Sequence, residues 1–187
     1  MNILSIDTSG KSFSLTLVKD SIKTSFIDTS ESVSSESVLV EIDKLVSKCK
    51  ISPKEITSVI YNNGPGSFTG VRVSSAIVQA IGFSNNCPVY GINSLMLIAY
   101  SLYIKNNTSK VQVIKKAFGD QVFHGLIHLT SESCLSGDSI KISTFSDVEI
   151  DDDYILITDD SNIISNMKDN YYSIDKFVGS ELLIDYY

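Results

Sequence analysis

Cysteine, histidine and basic charge are all scarce in this chain, and each scarcity excludes something. The three cysteines, Cys49, Cys87 and Cys134, lie far apart in 187 residues and form no C-x-x-C pair. An odd number at such spacing argues against a disulfide framework and against a zinc site, and leaves idle or buried thiols in a reducing compartment. The only histidines are His124 and His128. A serine-hydrolase triad therefore has few partners to draw on, and Ser67 does not sit in a G-x-S-x-G context. Fifteen Lys and Arg face 22 Asp and Glu, for a net charge of −7. Polyanion binding starts from basic contacts to phosphates, so an acidic chain meets RNA only through a partner that supplies positive surface. Attachment to an anionic membrane surface is disfavoured for the same reason. The longest apolar run, Leu95 to Ile104, is broken by Ser101 and is too short to span a bilayer. No basic segment leading into an apolar run opens the chain, so we expect no signal peptide and a cytoplasmic protein. The chain is 43% hydrophobic and 20% charged, a composition that builds a packed core, as one large domain or two small lobes.

The most informative stretch is an apolar β-branched run, Ile56 to Tyr61, that meets a glycine-punctuated loop and then a helix. Gly64, Gly66 and Gly70 permit backbone angles that a Cβ would block, and Pro65 fixes one φ between two of them. Ser67 or Thr69 can cap the helix that follows. The result is a sharp strand-to-helix turn with backbone N–H groups at a helix N-terminus, which suits an anion. A tight packing turn is the equally simple reading. It is not a P-loop, because Val71-Arg72 follows Gly70 where that motif needs Lys and Ser or Thr. Nor does the glycine spacing fit a dinucleotide fingerprint.

Around this stretch the pattern is regular. Asn2 to Asp7, Ser12 to Lys19 and Ile22 to Ile27 read as an antiparallel meander joined by tight turns, with Phe13, Leu15 and Leu17 alternating against Ser12, Ser14 and Thr16 as in a half-buried strand. Ser34 to Lys48 changes to a helical period, and Pro53 ends it. A strand at Pro88 to Ile92 and a helix to about Lys105 complete the order β-β-β-α-β-α-β-α. That is the plan of a ribonuclease-H-like lobe. Asn106 to Ser109 reads as a linker. Beyond it, strands are expected over 111–117, 122–129, 140–145, 154–158 and 171–174, with a short helix over 163–167. We read these as a reduced second copy of the same unit, with lobes at 1–105 and 106–187. The expected fold is thus α/β, of the actin-like, Hsp70-ATPase and sugar-kinase type. In enzymes of that type the turn holding Asp7, Thr8, Ser9 and Gly10 is where phosphate and a metal-bound Asp sit, although D-x-x-G after a strand is also an ordinary hairpin turn.

Three patterns carry less than they suggest. His124 and His128 alternate within a strand pattern, which puts their rings roughly 13 Å apart, too far for one zinc ion. The acidic run Asp147, Glu149, Asp151, Asp152 and Asp153 lacks the Gly and Glu of a calcium loop and reads as a solvated face. After residue 105 the glycines, Gly119, Gly125, Gly137 and Gly179, are never adjacent, so neither a second phosphate loop nor a glycine pair for adenosine is supported. The helix from Gly70 has two weakly apolar faces, Val73, Ile77, Ala80 and Ile81 on one and Val71, Ser75, Val78 and Gly82 on the other. One of them is free to meet a partner or to be covered by the next helix.

The run Gly64-Pro65-Gly66-Ser67-Phe68-Thr69-Gly70-Val71-Arg72 resembles the signature of the TsaB (YeaZ) family. Asn2 to Ser9 is similar to that family's opening strand and Asp-Thr-Ser turn. Ser35-Glu36 resembles its His-Ser-Glu helix start, with Ser34 where the family has His, and Pro88 to Leu95 is similar to its Pro-x-x-Gly-Val-Ser-Ser-Leu segment. The likeness covers about residues 1 to 100. It fades in the second lobe, where Lys116 to Asp120 keeps little of an Asp-Ala-Arg-like segment. The resemblance implies a non-catalytic subunit that binds and activates the transferase TsaD for N6-threonylcarbamoylation of adenosine 37 in tRNAs reading A-starting codons. TsaE, an ATPase, docks on that pair. Isolated family members self-associate, and tRNA is met only through the complex. The partner surface it implies is the first two helices, here Glu36, Leu39, Ile42, Val71, Ser75, Val78 and Gly82. ATP, ADP and metal would belong to partner subunits or to the junction of the complex, with no metal of the chain's own. The alternatives are a small-molecule kinase or ATPase of the same fold, using Asp7, Thr8 and Ser9, and a homodimer with no tRNA role, of the kind once taken for glycoproteases.

Overall fold

The computed structural model describes residues 1–28, 30, 33–129, 136–137, 140–159, 171–173 and 179–186. Strands β1 (Asn2–Asp7), β2 (Phe13–Lys19) and β3 (Ile22–Asp28) form the meander. The β2–β3 turn places Asp20 and Ser21 at φ of 50° and 66°, the handedness that matches the twist of a tight hairpin. Helix α1 (Ser35–Lys48) is opened by Ser34, whose hydroxyl accepts from the Ser37 N–H while the Ser37 hydroxyl accepts from the Ser34 N–H. Strand β4 (Ser58–Asn62), helix α2 (Phe68–Asn85) and strand β5 (Val89–Ile92) follow, and helix α3 (Ser94–Asn106) leads away. The sheet order is β3-β2-β1-β4-β5, antiparallel across the meander and parallel from β1 to β4 to β5.

The second sheet repeats this order. Strands β6 (Lys110–Lys116), β7 (Gln121–His128), β8 (Ser136–Gly137) and β9 (Lys141–Thr144) are antiparallel neighbours in turn, β8 and β9 both pairing with β7. Strand β10 (Ile155–Thr158) runs parallel beside β6, and β11 (Tyr171–Ser173) parallel beside β10. The chain therefore carries two ribonuclease-H-like units, the second reduced. Between β9 and β10 it has only a 3₁₀ turn, Phe145–Asp147, where the first unit has α1 between β3 and β4. The helix expected over 163–167 lies outside the described residues.

The units divide at a different place from the linker read in the sequence. One comprises Met1–Ser94 with Gly179–Tyr187, the other Leu95–Val178. Most of α3 belongs to the second because Leu95, Ile98, Ala99 and Leu102 bury against Val111, Val113 and Ile127. The last helix, α4 (Ser180–Tyr186), returns to the first. Ser14 and Thr16, the polar side of a strand expected to be half-buried, are buried under it. The Ser180 N–H donates to Ser14 Oγ at 2.8 Å, its hydroxyl pairs with Thr16 Oγ1 at 2.8 Å, and its carbonyl accepts from Ser5 Oγ at 2.8 Å. The sheet is thus covered on both faces, by α1 and α2 on one and α4 on the other.

Candidate functional site

The glycine loop is clamped onto the β1–β2 turn. The Ser67 N–H donates to the Ser9 carbonyl at 2.7 Å, and Thr8 Oγ1 donates to the Gly70 carbonyl at 2.6 Å. Both approaches require glycine. A Cβ on Gly66 would stand 2.4 Å from the Ser9 carbonyl oxygen, and one on Gly70 would stand 1.8 Å from that of Thr8. Ser67 caps α2, its hydroxyl accepting from the Gly70 N–H at 3.2 Å. Phe68 and Thr69 begin the helix and are exposed. Arg72 is spent locally: its guanidinium lies 3.4 Å over the Phe68 ring and its Nη1 donates to the Phe68 carbonyl. The peptide between Gly64 and Pro65 is cis.

Asp7, Thr8 and Ser9 are all buried, beneath that loop. Asp7 Oδ1 accepts from the Ser9 N–H at 2.9 Å and from the Ser9 hydroxyl at 2.8 Å, and Oδ2 accepts from the Asn62 amide at 3.3 Å. A phosphate or metal ion at this turn needs an accessible carboxylate and free backbone groups. Here the carboxylate is closed in, and the loop takes up the Ser9 carbonyl and the Thr8 hydroxyl. The Asp7 carboxylate is thus engaged within the chain, by Ser9 and Asn62. Asn62, which no motif marks out, completes the arrangement from the end of β4. Only its side-chain contacts reveal it, so the sequence offered no signal beyond a polar residue at the end of a strand.

The helical faces resolve differently from the two-face expectation. Gly70, Ser74, Ile77, Val78 and Gly82 of α2 are buried, with Val73 and Ile81 packed beside them. This is one continuous i, i+4, i+7 stripe. Val78 and Gly82 therefore belong to the core and not to a partner surface. A Cβ on Gly82 would stand 2.5 Å from the Val89 side chain. Ile42 likewise is buried in the core from α1. Glu36 and Leu39 are exposed, and Val71 and Ser75 are half-buried. The solvent face of the two helices thus presents Leu39 (51% exposed) and Val40 from α1. Phe68, Ala76, Ala80 and Phe83 come from α2. The sequence reading did not single out Val40, Ala76 and Phe83, because helical period leaves the rotation of an exposed face open.

In the second unit His124 and His128 do lie on one strand, β7. His124 Nε2 is 2.9 Å from Ser143 Oγ, and its cross-strand partner is Lys141. Among the described residues no group of three His, Cys, Asp or Glu is placed to hold a metal ion. Burial, and then the Lys141 charge, hold the His124 pKa below its ordinary 6.5. The unfolded chain then takes up a proton as pH falls through 6.5 while the folded chain does not, so this stabilisation is present above 6.5 and is lost below it. Thermal unfolding at about pH 7.5 and about pH 5.5 is expected to show a smaller acid loss for His124→Gln than for the unaltered chain. Equal losses would refute the assignment. Burial also raises the Cys87 thiol pKa, as suits an unreactive cysteine.

Residues 29–131, more than half of the chain, match the family model described as tRNA N6-adenosine threonylcarbamoyltransferase, TsaD. The tRNA threonylcarbamoyladenosine biosynthesis protein TsaB of Buchnera aphidicola subsp. Schizaphis graminum is 31% identical over 123 residues, 66% of this chain and 59% of that one. The chain belongs to the TsaB (YeaZ) family. TsaB of Escherichia coli K12 is 29% identical over 59% of this chain and 48% of its own length, and the Bacillus subtilis protein 27% over 53% and 44%. The chain thus spans about half the length of the curated TsaB relatives it matches. A solved structure of YeaZ from Pseudomonas aeruginosa superposes with a TM-score of 0.84, at 19% identity, over 99% of this chain and 89% of that one. That likeness speaks to the fold, and it agrees with the duplicated sheet order.

Proposed function

We propose that this TsaB-family chain acts in tRNA threonylcarbamoyladenosine biosynthesis as a non-catalytic subunit that docks on a TsaD-type transferase. The observation that carries the reading is the state of Asp7. The residue that would serve a nucleotide in an enzyme of this fold is buried and hydrogen-bonded within the chain. The name shared by its relatives supports the pathway. The exposed apolar and small residues of α1 and α2 supply a surface that a partner helix can approach closely. On this reading Glu36, Leu39, Val71 and Ser75 remain at the interface, and Val40, Ala76 and Phe83 join them. A TsaE-type ATPase would join the pair, tRNA would be met through the assembled complex, and nucleotide and metal would be held by the partners.

The test mixes the purified chain with the TsaD-type protein of the same organism and measures mass by light scattering on a sizing column. A heterodimer is expected. Leu39→Arg places a charge in the middle of the exposed face while leaving the core intact, and is expected to weaken pairing by at least about 2 kcal/mol, roughly thirtyfold in Kd. Absence of a heterodimer would sink the reading. A persistent homodimer would then favour the self-associating alternative, and tight ATP binding lost in Asp7→Ala the kinase-like one.

A further inference from the structure

Asn62 is wholly buried, and its side-chain amide makes four hydrogen bonds, as many as an amide can. Its Oδ1 accepts from the Gly64 N–H at 3.0 Å and from the Ser94 hydroxyl at 2.6 Å. Its Nδ2 donates to Ser9 Oγ at 2.8 Å and to Asp7 Oδ2 at 3.3 Å. The bonds reach three separate segments: the first residue of the glycine loop, the β1–β2 turn, and Ser94 at the start of α3. The turn in turn holds the far end of the loop, through Ser9 to Ser67 and Thr8 to Gly70, and Ser67 caps α2. One side chain therefore anchors both ends of the loop from which α2 starts.

We propose that Asn62 is the positioning residue of the docking face, setting where α2 begins and so how its exposed side is presented to the transferase partner. This rests on the functional reading above. Polarity is what makes the position specific. An amide is both donor and acceptor, and only its NH₂ end can face the Asp7 carboxylate. Asn62→Asp sets two carboxylates side by side, a pair that cannot both ionise without repulsion and that shares a proton as pH falls.

The test measures affinity for the TsaD-type partner, corrected for folded fraction, at about pH 7.5 and about pH 5.5. Asn62→Asp is expected to bind about tenfold or more weakly at the higher pH and to regain much of that at the lower, relative to the unaltered chain. The exchange Asp7→Asn with Asn62→Asp restores a carboxylate facing an amide and is expected to recover affinity. If Asn62→Asp does not fold, Ser9→Ala carries the test, since it removes only the hydroxyl that bridges Asn62 and Asp7. A loss of about two- to tenfold is expected there. Unchanged affinity in the folded variants, or a loss that neither acid nor the exchange reverses, would overturn the proposal. If the unaltered chain does not bind, the functional reading fails separately. The Asn62 role is then read from hydrogen exchange at the first-turn amides of α2, where faster exchange in the same variants is expected and equal exchange overturns it.

Discussion

Gly70→Ala is expected to be the most damaging single-methyl change in the first unit. The added Cβ would lie 1.8 Å from the Thr8 carbonyl oxygen and 3.0 Å from its carbon. The obstacle is backbone and cannot swing away. Thr8 follows β1 directly, and β1 pairs with both β2 and β4. Gly70 lies in the first turn of α2, whose buried stripe packs on β4 and β5. Relief therefore means lifting α2 off the sheet or bending the turn, which also breaks the Thr8 hydroxyl bond to Gly70. We expect a loss above about 3 kcal/mol, seen as a fall in Tm of about 10 °C or as insoluble protein. Gly10→Ala is the control. Its Cβ would meet nothing closer than the Ser12 carbonyl oxygen at 3.7 Å, so a change within about 0.5 kcal/mol is expected. Equal melting of the two variants would refute the close-approach account of the loop.

Leu183→Asp is expected to be of similar severity, although it lies more than a hundred residues away in sequence. Leu183 is wholly buried, on the face of the first sheet opposite α1 and α2. Truncation to alanine alone should cost about 2–5 kcal/mol. A carboxylate there adds the penalty of an unpaired buried charge, so α4 is expected to detach. Detachment opens Ser5, Ser14 and Thr16 and breaks the ion pair between Lys23 and Asp185. That ion pair is partly exposed and adds little by itself. Removal of residues 179–187 should match the aspartate variant. Hydrogen exchange should rise in β1 and β2 of both, and the second unit should keep its protection. Unchanged exchange in β1 and β2 would show that α4 is not part of the first unit.

Local pattern made the first unit largely readable. Alternation marked the meander, the change of period at Ser34 marked α1, and glycine spacing marked the loop ahead of α2. The second unit was read strand by strand because Val111, Val113, Val122, Ile127 and Leu156 sit in short β-branched or alternating runs. Two-residue β8 was missed, being too short to show a period. The division of the units was misplaced because Asn106 to Ser109 looks like a linker, whereas the burial of Leu95 to Leu102 decides to which core α3 belongs.

By itself the sequence determined the order of elements from β1 to α3, the place of the glycine loop and the family resemblance. All of these follow from interactions within a few residues or from contiguous motifs. Only the tertiary structure decided which face of α2 is buried, that Val78 and Ile42 are core, that Asp7 is enclosed, that Asn62 ties three segments together, and that α4 closes the first sheet. Each depends on partners far apart in the chain. Helical period fixes the spacing of a stripe but not the direction it faces, and a polar residue shows its role only when its hydrogen-bond partners are brought beside it.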